Sequence, residues 1–156
     1  MANDGDATGG DVARAELANL PILAGLTNAE LNSVASEFTQ RAVEAGVTII
    51  ARDDAALEVY FLLEGRARVV HDTPLGRRVQ LSELPEGSYF GEISAIDGLG
   101  RSASVEAVTD CRLASMTPDG FRRLMVAHPS VLVAVLQNLA AIIRRTNATV
   151  MGHSIL

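Results

Sequence analysis

Cysteine is all but missing: Cys111 stands alone in 156 residues. A lone thiol cannot close an internal disulfide, and it cannot hold an iron–sulfur cluster or a thiolate zinc site. It reads as a buried strand residue rather than a redox sensor. Histidine is scarce as well, with His71, His128 and His153 the three present. Two of them fall in or beside the terminal helices, so a barrel-type metal oxygenase lacks the converging histidines and carboxylate that it needs. No apolar run approaches the roughly 20 residues that span a bilayer. The opening Met1-Ala2-Asn3-Asp4-Gly5-Asp6 lacks the basic-then-apolar order of a secretory signal. These absences place the protein in the cytoplasm with no membrane partner. A Gly-x-Ser-x-Gly elbow, a triphosphate-binding loop and internal repeats are missing too. Positive charge is outweighed, 13 Lys+Arg against 19 Asp+Glu, for a net charge of −6. Direct binding of nucleic acid is therefore not expected. The arginine pairs Arg77-Arg78, Arg122-Arg123 and Arg144-Arg145 have no aromatic residues between them and read as solvated faces, unless a few arginines converge on a small anion.

What is present suits one globular domain: 48% apolar and 21% charged residues, in a chain long enough to bury about two thirds of its unfolded surface. Residues 1–12 are predicted to be a disordered acidic tail, residues 13–151 the domain, and 152–156 a C-terminal tail. A short helix is expected over Ala13–Asn19. A second begins at Thr27-Asn28-Ala29-Glu30, a capping box, followed by Leu31, Val34, Ala35 and Phe38 at helical spacing.

From residue 39 the pattern turns to short strands: Arg41–Val43, Val47–Ala51, Leu57–Leu63, Arg66–His71, Arg77–Ser82, Ala103–Val108 and Arg112–Met116. Turn residues separate them, as in an antiparallel barrel. The stretch from Gly91 to Gly100 interrupts them with a short helix and a glycine-rich loop. Thr117-Pro118 then caps a helix, and Pro129 starts a longer one reaching about Val150. Its stripe of Leu132, Val135, Leu136, Leu139, Ile142 and Ile143 is flanked by further apolar residues. Either the helix packs wholly on its own domain or, the favoured reading, a second face meets its copy in a homodimer. The fold class is mainly β with flanking helices: an antiparallel β jelly-roll barrel with N-terminal helices and a long C-terminal helix.

The chemistry gathers in Phe90-Gly91-Glu92-Ile93-Ser94-Ala95 and Arg101-Ser102-Ala103-Ser104-Val105. Gly91 lets backbone approach a ligand closely, and the helix it opens offers unpaired N–H groups. Arg101 supplies a fork of donors suited to phosphate, Ser102 a hydroxyl and Ala103 a backbone N–H. Glu92 would repel a phosphate, yet it suits a hydroxyl beside one, such as a ribose 2′-OH.

This stretch resembles the phosphate-binding cassette of the cyclic nucleotide-binding domain family, shared by catabolite-activator-type regulators, kinase regulatory subunits and gated channels. The resemblance runs over about residues 17–150. It implies that Arg101 takes the cyclic phosphate and Glu92 the ribose, while Gly91, Ile93, Ser102 and Ala103 complete the cradle. Similarity to the catabolite-activator type from Arg101 onward implies that Thr146 and Asn147 lie over the purine, cyclic AMP in preference to cyclic GMP. The family often carries a glycine where this chain has Arg52-Asp53-Asp54, so that loop is expected to differ. No helix-turn-helix follows the long helix, so the chain reads as a stand-alone sensor or a piece of a longer one, serving an unidentified effector. No cofactor, metal or enzymatic activity is expected. The alternatives are a degenerate dimerisation domain of the same fold and, behind it, a cupin-type metal enzyme.

Overall fold

The computed structural model describes residues 12–154. The expected tail therefore lies outside the described residues except at its last position, where Val12 is buried in the core. Helix α1 (Arg14–Ala18) leads through a 3-10 turn at Pro21–Leu23 to α2 (Asn28–Val34) and a second 3-10 turn at Ala35–Glu37. Strands β1 (Thr39–Val43), β2 (Thr48–Ile50), β3 (Val59–Glu64), β4 (Ala67–Asp72), β5 (Arg78–Leu84) and β6 (Tyr89–Phe90) follow. After α3 (Glu92–Asp97) come β7 (Ser104–Ala107), β8 (Cys111–Met116), α4 (Pro118–Ala127) and α5 (Pro129–Ser154). All pairings are antiparallel, in two four-stranded sheets ordered β1-β8-β3-β6 and β2-β7-β4-β5. This is the jelly roll anticipated from the strand spacing.

Two cores explain the strand sequences. Val59, Phe61, Ala114 and Met116 pack under the helices with Phe38, Phe121 and Val131. Tyr60, Leu62, Cys111 and Leu113 turn the other way, into the barrel with Ile50, Phe90 and Val105. Side chains alternate along a strand, so β3, covered on both faces, reads as an unbroken apolar run. Phe61 meets Phe38 edge-on at 5.2 Å, and burying each such ring contributes about 1.5–3 kcal/mol. Strand β5 is the opposite case, an edge strand exposed for nearly its whole length. Cys111 is the buried strand residue expected, and burial pushes its thiol up and keeps it protonated.

The helix signals are realised atom by atom. Thr27 Oγ1 accepts from the Glu30 N–H at 3.2 Å, and Glu30 Oε1 accepts from the Thr27 N–H at 3.0 Å. The second Glu30 oxygen meets His128 Nδ1 at 2.9 Å, which ties α2 to the 112° bend between α4 and α5. Thr117 Oγ1 caps α4 through the Gly120 N–H at 3.0 Å.

Three elements, β3, β6 and α5, differ most from the sequence reading. Strand β3 starts at Val59, not Leu57, because the Glu58 carbonyl is taken by a side chain described below. The two-residue β6 is too short to show a period. In α5 the inner face is Val131 and Val135, with Ala134 and Leu139 beside them, whereas Leu136 and Ile143 are 56% and 58% exposed. That helix also runs on to Ser154, into the stretch expected to be tail, while Ile155 and Leu156 lie outside the described residues. No single helix among the described residues is long and apolar enough to cross a membrane.

The loop without the family's glycine solves its geometry with Asp53, whose φ is +66°. Aspartate visits this left-handed region more readily than most residues. A β-branched side chain does not, so Asp53→Val should cost about 1–2 kcal/mol while Asp53→Gly stays near wild type. Urea denaturation of the two variants checks this.

Candidate functional site

The site begins where β6 ends. Pairing of Tyr60 with Phe90 and of Phe61 with Tyr89 sets β6 against β3. Phe90 stacks on Tyr60 with ring centroids 5.6 Å apart, which anchors the cassette to the barrel floor. The chain then turns at Gly91, whose φ is +86°. A Cβ there would meet the Glu58 carbonyl oxygen at 2.8 Å and Arg101 Nη1 at 2.9 Å. Both conformation and space therefore demand glycine. The short α3 that follows stops at Gly98, and the Gly98 N–H donates to the Ser94 carbonyl at 2.9 Å.

Arg101 lies across this turn and is only 4% exposed. Its Nη1 donates to the Gly91 carbonyl at 2.9 Å and its Nη2 to the Glu58 carbonyl at 2.7 Å. The guanidinium thus clamps the cassette to the residue before β3. Its Nε is buried with no partner. An unpaired donor on a buried cation is costly, and it marks where an acceptor is wanted.

The chain after Arg101 is pinned to the loop at Arg52-Asp53. The Arg52 N–H donates to Ser104 Oγ at 2.9 Å, and the Asp53 N–H donates to the Arg101 carbonyl at 3.3 Å. On the outer face of β7, buried Glu106 accepts from Arg68 of β4 at 3.0 Å and also pairs with Arg78 of β5. These contacts fix the strand that carries Val105 into the barrel.

Glu92, on the first turn of α3, is also buried. Burial pushes its carboxyl up, its own backbone N–H pulls it down, and the Arg101 charge pulls it down further. A carboxylate in this setting gains from any hydroxyl that donates to it.

These groups share one cavity of about 1020 Å³, open on one side, at the upper end of the roughly 300–1000 Å³ usual for small-ligand pockets. Its walls include Phe90, Gly91, Glu92, Ile93, Ser94, Arg101, Ser102, Ala103 and Val105, and Thr146 from α5. Asn147 is exposed on α5 and stands outside this lining. The Thr146 hydroxyl donates to the Ile142 carbonyl one turn back at 2.9 Å, which leaves its oxygen as an acceptor.

Sequence reasoning missed several wall residues: Val69, Leu81 and Leu84 from the β4–β5 hairpin, and Asn138, Ile142 and Arg145 from α5. The signal for the α5 set was its spacing, since Asn138, Ile142 and Arg145 follow one another at four and three residues and share a helix face. Tyr89 was missed as well. Its hydroxyl accepts from Asn138 Nδ2 at 2.9 Å. Burial pushes that phenol up, the Asn138 bond pulls it down, and the Glu92 charge pushes it up again. Arg145, one of the arginines read as solvated, stands on the same cavity as Arg101. Among the described residues no three His, Cys, Asp or Glu side chains group as a metal site.

The family model of the cyclic nucleotide-binding domain matches residues 40–128, and the chain belongs to that family. It is 35% identical over 109 residues to a cAMP-dependent protein kinase regulatory subunit of Yarrowia lipolytica, covering 70% of this chain and 28% of that protein. It is 26% identical over 131 residues to a CRP-like cAMP-activated global transcriptional regulator of Mycobacterium tuberculosis, covering 84% of this chain and 58% of that one. The crystal structure of the Thermus thermophilus catabolite activator protein superposes with a TM-score of 0.76 at 28% identity, covering 83% of this chain and 61% of that one. The chain thus spans from just over a quarter to about three fifths of the length of these relatives.

The raised carboxyl of Glu92 has a signed consequence. A folded-state value above the ordinary 4.5 means that the folded protein holds the proton more tightly than the unfolded chain. Stability is then lost as pH rises from 4.5 through the raised value. Glu92→Gln should therefore melt above wild type at pH 7, and the difference should narrow as pH falls toward 4.5. Thermal melts across that range test it.

Proposed function

We propose that this domain is a cyclic-nucleotide sensor, with cyclic AMP its preferred ligand, and that it performs no catalysis of its own. The observation that carries the reading is the pair of buried, oppositely charged groups on one cavity wall. Arg101 brings an unpaired Nε–H, and Glu92 a desolvated carboxylate. A cyclic phosphate with its ribose hydroxyl supplies an acceptor for the first and a donor for the second. Gly91, Ile93, Ser102 and Ala103 bring backbone and hydroxyl donors to the same phosphate, Ser94 backs the turn, and Phe90 and Val105 floor the cavity. Thr146 supplies an acceptor for an adenine amino group, and Asn147 sits on the next helix position. The preference for cyclic AMP is supported by the relatives, whose names carry that ligand.

The output is movement of α5, passed to an effector protein or domain in the cytoplasm. A ligand that prefers one arrangement of α5 by about 100-fold shifts the balance by about 2.7 kcal/mol. A second copy of the chain is the partner for the outer face of that helix. Val133, Leu136, Ala140, Ile143, Asn147 and Val150 are all exposed and alternate at spacings of three and four. This is the seam of a two-stranded coiled coil, with Asn147 as the polar residue that sets register.

Isothermal titration with cyclic AMP and cyclic GMP tests the first part. Wild type should bind cyclic AMP more tightly. Arg101→Ala should weaken it roughly 30-fold or more, the scale for truncating one member of a buried charge pair, and unchanged affinity in that variant removes the assignment. For the second part, light scattering should give two chains for wild type and one for Leu136→Asp. A wild-type protein of single-chain mass would sink the dimer.

A further inference from the structure

Helix α5 forms one wall of the cavity although little of it is buried. Val131 and Val135 are covered and Ala134 and Leu139 partly so, and from Ala140 to Met151 every residue but Ile142 is exposed. Asn138 sits at this boundary. It lies about 14 Å along the helix from Pro129, at the α-helical rise per residue. There its amide donates to the Tyr89 hydroxyl at 2.9 Å. Tyr89 belongs to β6 and precedes the cassette turn by two residues. Its ring packs on Phe61 with centroids 6.2 Å apart, so the hydroxyl is presented from a fixed base.

We propose that Tyr89 and Asn138 are a positioning pair: their hydrogen bond holds α5 against the cavity mouth and sets the arrangement that nucleotide occupancy reads. The geometry assigns them this role because the bond joins the cassette strand to the helix at the last residues where α5 is packed. Below it the helix starts from the bend at His128-Pro129, and above it the helix meets the cavity through Ile142, Arg145 and Thr146 with little of its surface buried. Tyr89 and Asn138 both line the cavity beside Glu92. A ligand that donates its ribose hydroxyl to Glu92 thus lies next to the bond that fixes the helix. Losing the bond shifts α5 outward, and the ligand must then spend affinity to draw it back. The loss is roughly 3- to 10-fold in apparent affinity, the equilibrium weight of one such bond.

The affinity arm rests on the nucleotide reading above, and the ligand-free arm does not. Nitroxides at Glu44→Cys on the β1–β2 turn and Ala148→Cys on α5, in a Cys111→Ser background, report the helix position by electron double resonance. The labelled chain is diluted with excess unlabelled chain so that distances within one copy dominate. Tyr89→Phe keeps the ring and removes the acceptor, and Asn138→Ala removes the donor. Each is expected to lengthen and broaden the ligand-free distance distribution, and saturating cyclic AMP to restore the wild-type distribution. Each should weaken cyclic AMP binding by that 3- to 10-fold, and the double variant no more than either single one. A ligand-free distribution unchanged in both variants overturns the proposal. Additive affinity losses at unchanged distances overturn it as well, because Tyr89 and Asn138 then contact the ligand independently. If wild type binds neither nucleotide, the sensor reading falls, and the ligand-free distances still decide the positioning role.

Discussion

The Arg101 guanidinium is the constraint around which the cavity is organised. It is a buried cation held by two main-chain carbonyls, Gly91 at 2.9 Å and Glu58 at 2.7 Å. Those carbonyls belong to segments more than thirty residues apart, and the guanidinium fixes the distance between them. Carbonyl partners leave the charge unneutralised, which is unusual in a buried arginine. The proposed capture of a cyclic phosphate draws on that residual charge. The guanidinium also explains why β3 begins where it does, and why Gly91 tolerates no side chain.

The rest of the fold serves to make that arrangement rigid. Strand β3, covered on both faces, carries Val59 and Phe61 to the helices and Tyr60 and Leu62 to the barrel. The two cores therefore share one strand, and Phe90 stacks on its Tyr60. On the outer face of the second sheet, Glu106 gathers Arg68 and Arg78 and braces β7 behind the cassette. At the other end Glu30 caps its own helix and reaches His128 at the α4–α5 bend, which sets the base from which α5 departs. Helix α5 itself is held lightly beyond Leu139. Regions with few buried apolar contacts are the ones free to respond to a ligand.

Much of this was legible in the residues. The capping box at Thr27 and Glu30 and the proline-led cap at Thr117 are local devices, complete within four residues, and they formed as written. The gathering of Phe90, Gly91, Glu92 and Arg101 on one cavity was likewise legible, because their spacing puts a turn and a short helix between them and a return strand after them. The strand β6 was not, since two residues carry no period. Tyr89 gave no sign of its partner, which lies 49 positions along the chain. Asp53 lies in the loop that was expected to differ for want of the family's glycine, and only the structure shows that it takes the left-handed conformation, with φ of +66°.

Local order, the succession of helices and of every strand but β6, and the grouping of Gly91, Glu92 and Arg101 in one site were determined by the sequence alone, because capping, strand alternation and side-chain chemistry act over a few residues. Tertiary structure decided which face of α5 is buried, since Leu132, Leu136 and Ile143 are as apolar as Val131 and Val135. Only the position of the barrel chooses between them. It also decided what Arg101 does without a ligand. The residue type promises a phosphate contact, but the carbonyls that hold it come from distant segments, and packing alone brings them together.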